Sequence, residues 1–189
     1  IKGKVIPSTN TNVMLNAVLE DGEIVEGESK IPKKNKKIRR VYLEPSNVEP
    51  MQEAVDALQE ADLIVLGPGS LYTSVISNLC IEGISKAIIS SQAPKLYISN
   101  IMTQPGETND YDVYDHIKAI HQHAGEPFID YVICSNDAFD EQILQRYKER
   151  NAHPVNMNKI KLTENHIKMI TSKNLVEVYD HVLVRHNTK

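Results

Sequence analysis

Residues 61–78 read ADLIVLGPGSLYTSVISN, and this stretch decides the fold class of the 189-residue chain. The run Leu63-Ile64-Val65-Leu66 is apolar at every position, which is typical of a strand in a parallel sheet that is buried on both faces. The run stops at Gly67, and a serine that suits a helix start follows at Ser70. The stretch therefore predicts a strand, a tight glycine loop and a helix, which together form one βα unit.

The chain on both sides of this unit continues the alternation of helix and strand. Apolar residues recur at helical spacing in several segments, and short apolar runs typical of strands lie between them. The helical segments are 51–58, 81–88, 113–124 and 139–147, and the strands are 96–98 and 131–134. Gly125 suits a left-handed C-terminal cap for the helix before it. Strands joined by helical crossovers predict an α/β fold with a mostly parallel sheet covered by helices.

The N-terminal residues are predicted to form an antiparallel β-hairpin instead. Apolar residues alternate from Val13 to Leu19, Asp21-Gly22 is a strong turn, and Ile24-Val25 resumes the apolar pattern. A third strand is expected at 41–43. At about 150 residues per domain the length fits one domain. We expect a single α/β domain over 1–189, made of a hairpin and basic segment (1–45), βα units (46–151) and short C-terminal strands (152–189), near 167–171 and 181–184.

The charge balance argues against a protein whose main partner is nucleic acid. The chain has 25 acidic and 21 basic side chains and a net charge of −4, whereas domains that bind nucleic acid are usually basic. The main basic cluster, called the basic segment below, comprises Lys30, Lys33, Lys34, Lys36, Lys37, Arg39 and Arg40. Such a run is either solvated surface or a docking site for an acidic protein or an anionic surface.

Cysteine usage and hydropathy predict a cytoplasmic protein. Cys80 and Cys134 lie in separate apolar stretches and form no Cys-x-x-Cys pair, which indicates buried thiols in a reducing compartment. No run approaches 18 apolar residues and no signal peptide is visible, so we expect no membrane span. The chain begins at Ile1 rather than Met, which indicates a piece of a longer protein.

Two polar loops follow predicted strands whose carboxyl ends meet at one edge of the sheet. In the first, the glycines permit close backbone approach to an anion, the proline stiffens the turn, and the hydroxyls are further donors; its candidate residues are Gly67, Pro68, Gly69, Ser70 and Thr73. The alternative is a tight strand-to-helix turn with a serine cap. The second loop holds Asn100, Thr103 and Gln104 before a Pro-Gly type II turn at 105–106. The first loop is therefore a candidate phosphate loop, and the second is either a ligand-facing loop or a plain connection before the helix that starts near Tyr111.

Motif searches exclude several enzyme classes. Tyr72 stands where the dinucleotide fingerprint Gly-x-Gly-x-x-Gly has its third glycine, and no P-loop, His-Glu-x-x-His or Gly-x-Ser-x-Gly element occurs. His121 and His123 are two positions apart on a predicted helix, so they point to different sides and cannot chelate one metal ion. The sequence therefore predicts no metal and no cofactor, and it assigns no catalytic residue.

Three further polar segments have two readings each. Ser135-Asn136-Asp137 either caps the helix that follows or faces the ligand. Residues 8–12, with Asn10 at their centre, form either a turn or a ligand-facing loop. Arg185 near the C-terminus either forms a charged fork for a phosphate or belongs to a frayed terminus.

In combination, these stretches resemble one bacterial family. The matching segments are GKVIPST at 3–9, DGEIVEGESKI at 21–31, ADLIVLGPGSLYTSVISN at 61–78, SNIMTQPGET at 99–108, DHIKAI at 115–120 and RHNT at 185–188. By these segments the chain is identified as a member of the gluconeogenesis-factor (YvcK-like) branch of the 2-phospho-L-lactate transferase (CofD-like) superfamily. The resemblance extends over essentially the whole chain.

The resemblance implies a Rossmann-like fold and a bacterial regulator of carbon metabolism and cell shape that binds nucleotide-sugars such as uridine-diphospho-N-acetylglucosamine. It implies that both loops belong to the nucleotide site, together with Asn10 and Arg185. Family members open with a Gly-Gly-Gly-Thr-Gly loop and an acidic Asp-Asp-Gly segment, and neither occurs here. We therefore expect a fragment that lacks the first βα units and the acidic metal-binding positions of the transferase branch.

Three functions follow as hypotheses. The first is regulatory binding of a nucleotide-sugar without turnover. The second is a 2-phospho-L-lactate transferase-like reaction on a substrate linked to a nucleotide diphosphate. The third is a protein-interaction module that uses the basic segment. Self-association into a homo-oligomer is compatible with each of them.

Overall fold

The computed structural model describes residues 3–179 and 183–187 as three sheets with helices between their strands. The strands are β1 Met14–Leu19, β2 Ile24–Glu26, β3 Ile38–Glu44, β4 Ile64–Leu66, β5 Lys95–Ile98, β6 Tyr131–Ser135, β7 Lys168–Ser172, β8 Val176–Tyr179 and β9 Leu183–His186. The α-helices are α1 Gln52–Gln59, α2 Ser77–Leu79, α3 Glu82–Ser90, α4 Val113–Ala124, α5 Glu141–Glu149 and α6 Lys159–Glu164. A π-helix, Leu71–Ile76, runs directly into α2, and two 3-10 turns, Glu28–Lys30 and Pro32–Lys34, lie between β2 and β3.

The central sheet confirms the predicted α/β class. Its strands lie in the order β4-β5-β6-β7, and every neighbouring pair is parallel. Parallel neighbours in sequence order require crossover connections, and such connections are right-handed, so the connecting helices gather on one face. The carboxyl ends of all four strands consequently meet at one edge, which is where the two candidate loops begin.

The predicted burial of the β4 region on both faces is wrong. Ile64 and Leu66 are buried, but Leu63 is 48% and Val65 46% exposed. At the other end of the sheet Ile170, on β7, is 45% exposed. Within the described residues the helices cover one face of the sheet, and the side chains that alternate to the other face are only partly covered.

The N-terminal hairpin is confirmed. β1 pairs with β2 and with β3 in an antiparallel sheet of order β2-β1-β3. Gly22 adopts a positive φ of 88° in the connecting turn, and the Glu23 N–H donates to Asp21 Oδ1 at 3.1 Å. Lys36 Nζ lies 2.7 Å from Asp21 Oδ2 and 2.8 Å from Glu23 Oε2. The acids of the hairpin turn therefore neutralise part of the basic segment.

One hydrophobic core joins the hairpin to the βα units. Leu15 and Ala17 of the hairpin are buried in the same cluster as Ile76 before α2, Tyr97 of β5 and Ile117 of α4. α4 ends as predicted, at Gly125 with a φ of 97°. Because the hairpin packs on the helices that start at the loops, it lies close to the candidate site.

One prediction for the C-terminal part needs correction. The segment Ser135-Asn136-Asp137 does not cap α5, because that helix begins at Glu141 after Asp140, and no side chain caps it. α6 was not predicted at all. The strand expected at 167–171 is confirmed as β7; of the one expected at 181–184, residues 181 and 182 lie outside the described residues, and 183–186 form β9, which pairs with β8.

Across residues 3–179 and 183–187, every helix is too short or too polar to cross a lipid bilayer.

Candidate functional site

The two candidate loops meet at the carboxyl edge of the central sheet. Asn100 Nδ2 donates to the Gly69 carbonyl oxygen at 2.8 Å, and Ser70 Oγ donates to Gln104 Oε1 at 2.8 Å. Each bond joins residues more than 30 positions apart in the chain. The structure therefore brings four of the predicted site residues into one hydrogen-bonded group.

Glycine at position 67 is required by the backbone. Gly67 has a φ of 82°, a region that L-residues rarely adopt, and its peptide bond to Pro68 is cis. A Cβ at this position would lie 3.1 Å from the Ile98 carbonyl oxygen. The first glycine thus lets the chain turn sharply between β4 and the loop while it stays close to the end of β5.

Ser70 does not cap the helix that follows it, contrary to the prediction. Its hydroxyl bonds to Gln104, and the N–H groups of the first helical turn donate to a carboxylate from the other loop. Glu107 Oε2 accepts from the Tyr72 N–H at 2.9 Å and, more weakly, from the Thr73 N–H at 3.4 Å. A glutamate therefore occupies part of the predicted anion cradle.

Glu107 is bound by donors on both carboxylate oxygens. Thr73 Oγ1 donates to Oε1 at 2.8 Å and Gln104 Nε2 donates to the same oxygen at 3.1 Å. The side chain is only 1% exposed. Burial raises the pKa of Glu107, and the bonds from Thr73 and Tyr72 oppose that increase. Because all the partners donate, these contacts stabilise the ionised form.

Two backbone donors of the first loop belong to partly exposed residues. Within the described residues, the N–H groups of Gly69 and Ser70 have no protein acceptor, whereas Leu71 is fully buried. The two N–H groups precede the groups that Glu107 occupies, and they lie in the loop that the sequence assigned to an anion.

Thr103 and Asn10 differ from each other in their surroundings. Thr103 is buried, its N–H donates to the His153 carbonyl at 2.8 Å, and its hydroxyl accepts from the His153 N–H at 3.0 Å. Its side chain thus holds the second loop to the segment before α6. Asn10 is exposed, while its neighbours Ser8 and Thr9 line a cavity of about 270 Å³ that also contacts Thr73.

Arg185 is exposed on β9, opposite Glu177 of β8. The next residue in the strand points the other way, and His186 Nε2 donates to the Ser99 carbonyl oxygen at 3.1 Å. β9 consequently contacts the end of β5, directly before Asn100. Strand β9 thus lies beside the second loop, and the direct contact is made by His186 rather than by Arg185.

Two further cavities open at the same edge. One, of about 480 Å³, is lined by Glu28, Ser29, Pro32, Thr73, Gln104 and Glu107. The other, of about 250 Å³, combines a polar side with an apolar wall, and its lining includes Asn100, Asn136 and Asp137 on the polar side and Val113, Phe139 and Val155 on the apolar side. Both cavities contact loop residues that were predicted from sequence.

His121 and His123 accept hydrogen bonds from two different backbone N–H groups. His121 Nε2 accepts from the Ile129 N–H, and His123 Nε2 accepts from the Val41 N–H. Among the residues that the structure describes, no group of three or more His, Cys, Asp or Glu side chains is placed to hold a metal ion.

We expect the chain to lose stability between pH 7 and pH 5. Burial lowers the pKa of His116, His123 and His186, and it lowers that of His121 to about 4. The pKa of a histidine in the unfolded chain is about 6.5. Between pH 7 and pH 5 the unfolded chain therefore binds more protons than the folded chain, and stability falls as the pH falls. Urea unfolding should show a loss of about 1 to 3 kcal/mol. A His121→Gln variant, which keeps an acceptor for the Ile129 N–H, should lose less; an identical loss would contradict the assignment.

Comparisons with known proteins agree with this architecture. A family model described as "2-phospho-L-lactate transferase CofD" matches residues 1–175. The gluconeogenesis factor of Bacillus subtilis is 40% identical over 188 residues, which is all of this chain and 59% of that protein. The gluconeogenesis factor of Listeria monocytogenes is 52% identical over 144 residues, which is 76% of this chain and 45% of that protein.

A crystal structure of a Bacillus halodurans protein superimposes with a TM-score of 0.93 at 42% identity, over 99% of this chain and 60% of the other. The chain thus spans about three fifths or less of the length of these relatives. The match extends over the hairpin, the βα units and both candidate loops, so the chain belongs to the CofD family, in its gluconeogenesis-factor branch.

Proposed function

We propose that this chain binds a nucleotide-sugar, of the uridine-diphospho-sugar class, at the edge where the two loops meet. The observation that carries the proposal is the hydrogen-bonded contact between the loops. Within the described residues, it leaves the N–H groups of Gly69 and Ser70 without protein acceptors beside the polar side chains of Asn100 and Gln104. Free backbone donors at a strand-to-helix turn suit a diphosphate.

The remaining predicted residues have roles in the same proposal. Thr73 and Gln104 line the cavity of about 480 Å³, and their hydroxyl and amide groups suit the hydroxyls of a sugar. Thr103 positions the second loop through His153. From the family resemblance we propose Asn10 and Arg185 as further ligand contacts and a regulatory role in cell shape. The relatives named gluconeogenesis factors support a role in bacterial carbon metabolism.

A second candidate function is a transferase reaction on a substrate linked to a nucleotide diphosphate. The description of the matching family model favours it. A chromatographic assay with nucleotide diphosphate-linked donors distinguishes the two functions, because a regulatory binding protein forms no product. We propose the binding role first, since the curated relatives cited above are gluconeogenesis factors. Both proposals place the protein in the cytoplasm.

Replacing Gly69 with Val should weaken nucleotide-sugar binding by about 1 to 3 kcal/mol, which is roughly 5- to 150-fold in the dissociation constant. A Cβ at Gly69 would lie 3.2 Å from Ser74 Cβ, so the new side chain moves the loop or shields its N–H groups. Calorimetric titration of the variant with uridine-diphospho-N-acetylglucosamine measures the change.

The matched control is Gly3→Val, where a Cβ would meet nothing within 4 Å. It should bind like the wild type, and both variants should stay folded by circular dichroism. Equal affinity of a folded Gly69→Val variant and the wild type would show that the first loop does not hold the phosphates.

A further inference from the structure

The carboxylate of Glu107 occupies a position in which a helix start commonly binds a ligand anion. It comes from the second loop, 35 positions along the chain from Tyr72, and four donors from the two loops surround it. The chain thus supplies its own anion to the N–H groups of Tyr72 and Thr73. A buried charge of this kind costs free energy unless donors compensate it, and here they are present.

This arrangement limits where a ligand phosphate can bind. Within the described residues, the N–H groups of Gly69 and Ser70 have no protein acceptor, and those of Tyr72 and Thr73 are occupied. A phosphate placed farther along the loop would meet the buried carboxylate. The cavity of about 480 Å³ is lined by Glu28 as well as by Glu107. Both carboxylates repel a phosphate strongly in a partly buried space, because all three groups are negatively charged.

The neutral part of a ligand fits the same space well. Besides Glu28 and the buried Glu107, the cavity is lined by the neutral polar residues Ser29, Thr73 and Gln104. Carboxylates accept hydrogen bonds from hydroxyl groups, and the amide and hydroxyl groups both donate and accept. The side chains that line this cavity therefore favour a polyhydroxyl group over a further phosphate.

We propose that Glu107 is the specificity-determining residue of this site: it takes the position of a third phosphate and so restricts the loop to nucleoside diphosphate derivatives. Nucleoside triphosphates are rejected because their terminal phosphate finds its donors occupied and a carboxylate in its place. This proposal rests on the proposed function, since it assigns the diphosphate to the N–H groups of Gly69 and Ser70.

The first experiment tests the internal anion without any nucleotide. Glu107→Ala removes the carboxylate and leaves the N–H groups of Tyr72 and Thr73 free to bind acetate. Melting temperatures are compared in potassium acetate and potassium chloride of equal concentration. Acetate should raise the melting temperature of Glu107→Ala by about 2 to 4 °C more than that of the wild type. The control is Glu126→Ala, because Glu126 is exposed; an acetate effect no larger than in the control would overturn the internal-anion role.

The second experiment measures specificity by calorimetry. Uridine-diphospho-N-acetylglucosamine and uridine triphosphate are titrated into the wild type, Glu107→Gln and Glu126→Gln. Glu107→Gln keeps the size of the side chain and removes its charge. It therefore also tests the role of the charge if the alanine variant does not fold. Its amide oxygen still occupies the donors, but the repulsion between the carboxylate and the terminal phosphate is gone, so this variant should bind the triphosphate at least about tenfold more tightly than the wild type does. An unchanged ratio of the two affinities would overturn the specificity role.

The two experiments separate the possible failures. If the wild type binds neither ligand and the acetate effect is present, the proposed function and the specificity role fail together, while Glu107 stands as an internal anion. If the wild type binds the nucleotide-sugar and the ratio does not change in Glu107→Gln, the specificity proposal alone is wrong.

Discussion

Replacement of Gly106 with Ala is expected to reduce the free energy of unfolding by at least about 3 kcal/mol. Gly106 has a φ of 83°, and an L-residue in the left-handed region costs about 1 to 2 kcal/mol. In addition, a Cβ would overlap Pro32, lying 2.7 Å from its carbonyl carbon and 2.9 Å from its Cα. Backbone atoms cannot rotate away as a side chain does, so the second loop and the turn at Pro32 must separate.

The control for Gly106→Ala is Gly125→Ala. Gly125 has a similar φ of 97°, but a Cβ there would meet nothing within 4 Å. This variant should lose only the conformational part, about 1 to 2 kcal/mol. Urea unfolding of both variants measures the difference. If the two losses are equal, the contact between Gly106 and Pro32 does not hold the second loop in place.

Replacement of Tyr97 with Ala is the second change with a large expected effect, about 3 to 5 kcal/mol. Tyr97 is fully buried at the centre of the parallel sheet, where it pairs with Leu66 on one side and Val132 on the other. Removal of the ring leaves a cavity in the main core. Its hydroxyl also donates to Asn100 Oδ1 at 2.8 Å, so the same side chain positions a residue of the candidate site.

Tyr97→Phe separates these two contributions. It keeps the ring and removes one hydrogen bond, so the free energy of unfolding should fall by only about 1 kcal/mol. Nucleotide-sugar affinity should still fall, because Asn100 loses a partner that orients it toward Gly69. Chemical unfolding and calorimetry measure the two effects. A Tyr97→Phe variant as unstable as Tyr97→Ala would show that the hydroxyl, rather than the volume of the ring, stabilises the core.

Local patterns predicted the elements that depend on near neighbours in the chain. The Asp21-Gly22 turn, the cap at Gly125 and the strands β4 to β6 follow from residue type and from periods of 2 and 3.6 residues, which act over a few positions. The helix α6 was missed because its six residues carry too little pattern to stand out. Exposure of Val65 was missed for a different reason: burial depends on what packs over the sheet, and the apolar run does not specify that.

Some features of the candidate site likewise follow from the sequence, and others follow only from the tertiary structure. Sequence by itself determined which loops lie at the carboxyl edge, because strand order and chain direction place Gly67 and Asn100 there. Only the tertiary structure decided the partners: Glu107 rather than Ser70 satisfies the first helical turn, and Thr103 bonds to His153. Those bonds join residues 34 to 50 positions apart. A hydrogen bond forms wherever folding brings a donor and an acceptor together, and no local pattern encodes such a meeting.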